Sequence, residues 1–174
     1  MIRRGISIIE AVVSVAIVGG LAIAVINTVG SIGRARASAG ERALAQLLAS
    51  DLLSEILARR YCEDLAAKTV TLGPEAGETT AGTRAAFDDV DDYLNLTDPS
   101  VSGGVPRTRE GLETPGVGKG WVRRVSIERV SPADLAASLT DQGLLRVTVT
   151  VERDGRVVAQ LSGVRSRLAE ESPR

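Results

Sequence analysis

Residues 3–33 read RRGISIIEAVVSVAIVGGLAIAVINTVGSIG, with two arginines at the start and Glu10 as the charged side chains of this stretch. The 23 residues from Ala11 to Gly33 are uncharged and mostly apolar. As a helix rising about 1.5 Å per residue they would measure about 35 Å, enough to cross a hydrocarbon core of about 30 Å. The sequence therefore predicts a membrane-spanning helical segment over residues 6–33.

The residues that flank and interrupt this apolar run bear on its orientation and role. Arg3 and Arg4 precede it, so the positive-inside rule predicts a cytoplasmic N-terminus and an exported C-terminal part. A cleaved secretory signal is an alternative, since Ala22 and Ala24 form a small-x-small pattern, and a buried core helix is another. Glu10 favours the membrane span, because a carboxylate near the end of such a helix is costly and is usually functional, unless it simply lies among the headgroups.

The order of a basic leader, Gly5, four residues and Glu10 directly before an apolar span resembles the N-terminus of type IV pilins and of the pseudopilins of type II secretion systems. This resemblance implies that a prepilin peptidase removes leader residues 1–5 by cutting between Gly5 and Ile6, and that Ile6 is then N-methylated. Ile6 stands where the family usually has Phe or Met. The resemblance also implies that Glu10 pairs with the methylated amine of a neighbouring subunit, because each charge is costly in a water-free filament core unless it meets its opposite.

The function that this resemblance implies is structural. The chain is expected to be a minor pilin or pseudopilin, single-pass in the inner membrane with a periplasmic C-terminal domain, that joins a type IV pilus or a type II secretion pseudopilus. The implied partners are the prepilin peptidase, other pilin-like subunits, and the inner-membrane assembly platform with its ATPase. The alternative is a signal-anchored periplasmic binding domain or enzyme whose prepilin-like start is a coincidence.

The composition of the chain excludes several functional classes. It contains no His and one Cys, Cys62, which excludes His-based acid–base catalysis, an internal disulfide and a multi-Cys metal site. Its net charge of -1 gives no electrostatic reason for binding nucleic acid. We therefore predict that the chain is not an enzyme, that it needs no cofactor and that it does not bind nucleic acid.

Residues 34–61 predict the soluble, amphipathic half of the same helix. Apolar side chains recur there every four residues, at Leu44, Leu48, Leu52 and Ile56, and Leu47 and Leu53 widen the stripe. Such a stripe must be covered. We expect the globular part of the chain to cover it, and a coiled-coil seam is the alternative.

Residues 62–120 lack periodicity and are rich in Gly, Pro, Thr and Asp, which predicts a variable loop region. Within it, residues 87–93 read FDDVDDY and place four carboxylates in five positions, at Asp88, Asp89, Asp91 and Asp92. Because oxygen-rich loops suit calcium, these four residues are candidate ligands. We expect a solvated acidic turn anchored by Phe87, Val90 and Tyr93, with calcium binding as the alternative.

Residues 121–168 predict a small antiparallel sheet. Three segments have strand patterns, the last two joined by a tight Asp-Gly turn at residues 154–155: Trp121 to Val130, Leu145 to Glu152, and Val157 to Val164. A loop or helical turn is expected over residues 131–142, and the tail 169–174 is expected to fray. Together with the helix, these strands predict an α+β fold in which a long N-terminal helix packs on a small antiparallel β-sheet, as in pilins.

Overall fold

The structure is a computed structural model that describes residues 8–62, 72–75, 77–78 and 83–168. The predicted leader, residues 1–5, and the predicted tail, residues 169–174, lie outside the described residues. The chain divides into two compact units, Met1–Glu41 and Arg42–Arg174. The elements in chain order are α1 (Ile8–Leu57), a 3₁₀ turn (Asp91–Tyr93), β1 (Thr97–Asp98), β2 (Trp121–Arg129), β3 (Leu144–Arg153) and β4 (Arg156–Ser166).

Helix α1 contains no Pro along its 50 residues, and its second half is rich in Ala and Leu, which favour helix. It ends at Leu57 rather than at the expected Tyr61. The backbone N–H of Ala58 still donates to the carbonyl of Ser54 at 3.1 Å, but Arg59 donates to Ile56 at 2.9 Å. The last turn therefore tightens from an i−4 to an i−3 hydrogen bond, which is a common way for a helix to end.

The four strands form one antiparallel sheet in the order β1-β2-β3-β4, so each strand pairs with its neighbours in sequence. Between β3 and β4 the chain reverses at Asp154 and Gly155, which have φ angles of 49° and 79°. Positive φ at both central residues is what a two-residue hairpin turn requires, so the turn predicted from the Asp-Gly pair is confirmed. Strand β1 is an addition to the predicted sheet, and pairs Thr97 with Arg124 of β2.

The core lies between one face of the sheet and the second half of α1. The helix contributes Ala45, Leu48, Ala49, Leu52 and Ile56, and the sheet contributes Trp121, Val125, Ile127, Leu145, Val147, Val149 and Val151. The helix and the sheet approach each other closely at Gly163, because a Cβ at this position would lie 2.7 Å from Cδ1 of Leu57. The globular part of the chain therefore covers the apolar stripe except at Leu47, which is exposed, and the predicted α+β architecture is confirmed.

Part of the predicted loop region is packed into this core. Phe87, Val90 and Tyr93 are at most 5% exposed. The rings of Phe87 and Tyr93 meet edge to face with their centroids 5.0 Å apart, an arrangement that aromatic pairs prefer. Residues 131–142 form turns and a single bridge between Val130 and Ala137 rather than a helix.

Candidate functional site

The first half of α1 presents an apolar surface on every side. Its large apolar side chains are between 47% exposed, at Ile32, and 83% exposed, at Ile8. The most apolar 18-residue window has a mean hydropathy of 2.5, and none of it is buried among the described residues. A helix that is apolar all round is normally covered by protein or by lipid. By length and composition, this helix is sufficient to cross a membrane.

The residues predicted for processing and assembly lie at the start of this segment. Glu10 is in the first turn of α1 and is exposed. Gly5 and Ile6 lie outside the described residues. Glu10 belongs to the unit Met1–Glu41, whereas the four candidate aspartates belong to the unit Arg42–Arg174.

The aspartates of the FDDVDDY segment are mostly buried. Asp89, Asp91 and Asp92 are 1–2% exposed. Asp88 differs, since its side chain is 46% exposed and forms an ion pair with Arg60. The anchoring apolar residues of the segment are buried as expected, but the expected solvated turn is wrong for three of its four carboxylates.

Backbone pairing explains this burial. The N–H of Val90 donates to the carbonyl of Arg60 at 2.9 Å, and Asp89 forms a parallel bridge with Arg60. These contacts hold the segment against the end of α1. The 3₁₀ turn that follows, Asp91–Tyr93, then folds its carboxylates inward.

Two glutamates outside the segment join its buried aspartates. Ligand oxygens of Glu75, Glu78 and Asp92 lie within 4.8 Å of one another. Asp91 Oδ2 accepts a hydrogen bond from the backbone N–H of Gly73 at 3.2 Å, which brings it next to the same loop. We call Glu75, Glu78, Asp89, Asp91 and Asp92 the acidic cluster.

Four of the five carboxyl groups of the acidic cluster are harder to ionise than ordinary ones. The exception is Glu78: burial alone would raise its pKa, but the hydrogen bond that its Oε2 accepts from the backbone N–H of Glu75 helps to hold the pKa below its usual range. Burial, together with the neighbouring Asp91 and Asp88, raises the pKa of Asp89 to about 7. Burial is also the main cause that raises the pKa of Asp92 to about 6, although Asp92 Oδ2 accepts hydrogen bonds from the backbone N–H groups of Asp88, at 2.9 Å, and Asp89, at 3.1 Å. Crowded carboxylates of this kind repel one another unless a cation lies among them.

A buried ionic network ties the loop region to the helix and the sheet. Arg123, on β2, is fully buried and donates through Nε to Asp98 Oδ2 at 2.9 Å. Arg84 lies 3.7 Å from the same oxygen through Nη1 and pairs with Glu55 of α1. Sequence reasoning missed this network, although the position of Arg123 between the inward-facing Trp121 and Val125 is a signal that could have revealed it.

A cleft of about 480 Å³ lies beside this network, between α1 and the loop. Its lining mixes apolar and charged side chains, among them Leu44, Leu48, Asp51, Arg109 and Pro115. Cys62 lies elsewhere and is buried, and burial raises the pKa of its thiol to about 11. Because the thiolate is the nucleophilic form, this Cys is not suited to nucleophilic chemistry.

Comparison with known proteins finds no matching family model, no matching curated protein and no matching solved structure. The roles that the N-terminal resemblance implies for Gly5, Ile6 and Glu10 stay predictions.

Proposed function

We propose that this chain is a structural subunit of the pilin type. The observation that carries the proposal is the first half of α1, whose apolar side chains are exposed on all sides in a helix that continues into a packed α+β unit. Exposed apolar surface of this extent needs lipid or other apolar helices to cover it. A pilin-type subunit meets both environments, first the membrane and then the centre of a filament.

The position of Glu10 supports an assembly role. It is the charged residue within the apolar surface, and a carboxylate in such surroundings is stabilised by an opposite charge. In the proposed filament that charge is the methylated amine of Ile6 on a neighbouring subunit. Glu10 then sets the axial position of one subunit against the next.

The same proposal assigns location and partners. The subunit spans the inner membrane once, with its N-terminus in the cytoplasm and the unit Arg42–Arg174 in the periplasm, as the basic leader favours. Its partners are a prepilin peptidase, other pilin-like subunits, and an assembly platform with its ATPase, which deliver it to a type IV pilus or a type II secretion pseudopilus.

A second candidate function is a signal-anchored periplasmic binding domain. The cleft of about 480 Å³ favours it, since small-molecule sites are concave and combine apolar walls with a few polar groups. On this view the prepilin-like start has no processing role, and the chain keeps its N-terminus.

Processing of the N-terminus separates these functions. The protein is expressed with and without a prepilin peptidase, and the membrane-fraction chain is analysed by intact mass spectrometry. We expect a mature chain that begins at Ile6 with one added methyl group, only where the peptidase is present. An intact N-terminus in the presence of the peptidase would favour the signal-anchored domain, and a soluble product starting beyond Ala24 would indicate ordinary secretion.

A matched pair of glycine variants sharpens this test. Gly5→Ala places a side chain at the cleavage site and is expected to slow or block processing, because close backbone approach of a peptidase needs a small residue. Gly33→Ala is the control, since a Cβ at Gly33 meets nothing within 4 Å. We expect the control to be processed like the unmodified chain.

A further inference from the structure

The acidic cluster contains carboxyl oxygens that no donor among the described residues satisfies. Asp89 is 1% exposed, and neither its Oδ1 nor its Oδ2 accepts a hydrogen bond. Oδ1 of Asp91 and Oδ1 of Asp92 are also buried without a donor. Folded proteins rarely leave buried polar atoms unpaired, so an oxygen-binding group is needed here.

The Arg and Lys side chains that the structure describes do not supply that group. Arg60, the basic residue beside the cluster, forms its ion pair with the half-exposed Asp88. Within the part of the chain that the structure describes, no Arg or Lys forms an ion pair with any member of the acidic cluster. A buried carboxylate without a partner is strongly unfavourable, and a bound metal ion removes that cost.

The spacing of the oxygens fits a metal ion. Two oxygens bound to one calcium ion, at about 2.3–2.6 Å each, lie at most about 5 Å apart. Ligand oxygens of Glu75, Glu78 and Asp92 lie within 4.8 Å of one another. The backbone N–H of Asp89 donates to Asp92 Oδ2 at 3.1 Å, so Asp89 lies beside this set of oxygens.

We propose that the acidic cluster is a calcium-binding site that links the loop around Glu75 and Glu78 to the 3₁₀ turn Asp91–Tyr93. Carboxylates are hard ligands, and an irregular, loop-borne set of them suits the flexible coordination of calcium better than the strict octahedron of magnesium. The site differs from the set of candidate ligands in the sequence analysis. Asp88 pairs with Arg60 instead, while Glu75 and Glu78 take part.

Calorimetry of the full-length chain tests this proposal. The protein is purified in a non-ionic detergent, stripped of metal with a chelator, and titrated with CaCl₂ and separately with MgCl₂. We expect one calcium ion per chain, bound at least about tenfold more tightly than magnesium. Absence of calcium binding up to about 10 mM, which exceeds the Kd of weak extracellular sites, would overturn the proposal.

Three variants locate the ion. Asp89→Asn and Glu78→Gln are each expected to weaken calcium binding at least tenfold. Asp88→Asn is the matched control, because it removes a neighbouring carboxylate that is ion-paired at the surface, and it is expected to change the affinity less than threefold. Equal losses in all three variants would indicate diffuse attraction to an acidic surface and would contradict a built site.

Thermal unfolding separates lost binding from lost folding. Calcium at about a hundred times its Kd is expected to raise the Tm of the unmodified protein by several degrees, and to raise that of Asp89→Asn by no more than about half as much. Without calcium, Asp89→Asn is expected to melt at or above the Tm of the unmodified protein, because it removes a buried unpaired carboxylate. A variant that melts lower in both conditions would mean that Asp89 is structural and would contradict its role as a ligand.

Discussion

Arg84 and Glu55 form a bidentate ion pair that joins the loop region to helix α1. Nε and Nη2 of Arg84 donate to Oε1 and Oε2 of Glu55 at 2.9 Å each. The hydroxyl of Tyr93 donates to the same Oε1 at 2.9 Å. Burial alone would raise the pKa of Glu55, but the hydrogen bonds and charge of Arg84 hold it below its usual range. The pair therefore stays ionised, and it fixes the loop against the helix.

Breaking this pair from one side is expected to destabilise the fold. Arg84→Met should lower the free energy of unfolding by about 3–5 kcal/mol, because it leaves the Glu55 carboxylate without its main partner. The double variant Arg84→Met/Glu55→Met should recover part of that loss, since no unpaired charge then remains. Urea denaturation of the full-length protein in detergent, followed by circular dichroism, measures both values.

Arg146→Met serves as the control for this experiment. Arg146 pairs with Glu128 at 2.9 Å, but both side chains are substantially exposed, at 31% and 47%. Exposed pairs contribute about 0–1 kcal/mol, so the loss should be small. A double variant at Arg84 and Glu55 that is no more stable than Arg84→Met would show that the loss comes from packing rather than from the stranded charge.

Two adjacent leucines of α1 are expected to respond very differently to truncation. Leu48 is 2% exposed in the core, and Leu48→Ala should cost about 2–5 kcal/mol through the cavity that it leaves. Leu47 is 65% exposed, and Leu47→Ala should change stability by about 0.5 kcal/mol or less. Thermal melts of the two variants, measured side by side, test which face of the helix is buried. Similar losses would contradict the packing of α1 on the sheet.

The elements that could be predicted from the sequence are those in which apolar side chains recur with the period of a helix or a strand, because one face of the element is buried. The alternation from Leu145 to Glu152 predicts β3 closely, and the four-residue repeat from Leu44 to Ile56 predicts the buried helical stripe. Both patterns are local, because each strand or helix presents one face to the same core. The apolar run before Arg34 is equally local, and composition alone identifies it.

The features that sequence reasoning missed depend on contacts between distant segments. Strand β1 has two residues, and it is a strand because Thr97 and Asp98 pair with β2. Arg123 occupies an inward-facing position, where a charged side chain is not expected. Its burial is possible because it pairs with Asp98, which lies 25 residues earlier in the chain. Glu75 and Glu78 lie near Asp92 because the loop between them folds back, and no periodic pattern in the sequence predicts such a contact.

The stability of the calcium-free protein is expected to fall as pH rises from about 5 to 8. The folded-state pKa of Asp89 is raised to about 7 and that of Asp92 to about 6. In this range the folded chain therefore holds protons that the unfolded chain has released, since an ordinary Asp has a pKa near 4. The stabilisation that comes from these raised pKa values is complete at pH values below the ordinary pKa of Asp, and it is lost as the pH rises through about 6 and 7.

Thermal melts across this pH range in metal-free buffer measure the effect. The unmodified protein should show a lower Tm at pH 8 than at pH 5.5, and Asp89→Asn should flatten the profile. Glu55 does not interfere, because its lowered pKa keeps it ionised throughout. A Tm that is flat or rises with pH would contradict the raised pKa values.

The role of Glu10 can be separated from that of the fold by a single substitution. Glu10→Val removes a charge that is costly in lipid, so membrane insertion should be intact or improved. The unit Arg42–Arg174 should melt at an unchanged temperature, because Glu10 lies in the other compact unit. The variant should lose the ion pair with the amine of a neighbouring subunit. If this pair contributes about 1.4 kcal/mol or more, the amount of subunit that enters a filament or pseudopilus should fall at least about tenfold.

Ser14→Val is the matched control for Glu10→Val. Ser14 lies four residues further along α1, on the same face, and is also exposed. Its replacement changes polarity without removing a charge. Subunit accumulation, leader cleavage and co-purification with sheared filaments are measured for both variants. Normal cleavage with lost co-assembly in Glu10→Val, and normal assembly in Ser14→Val, is the expected result. If Glu10→Val assembles normally, Glu10 does not set the axial register, and the pilin-type proposal then depends on cleavage before Ile6.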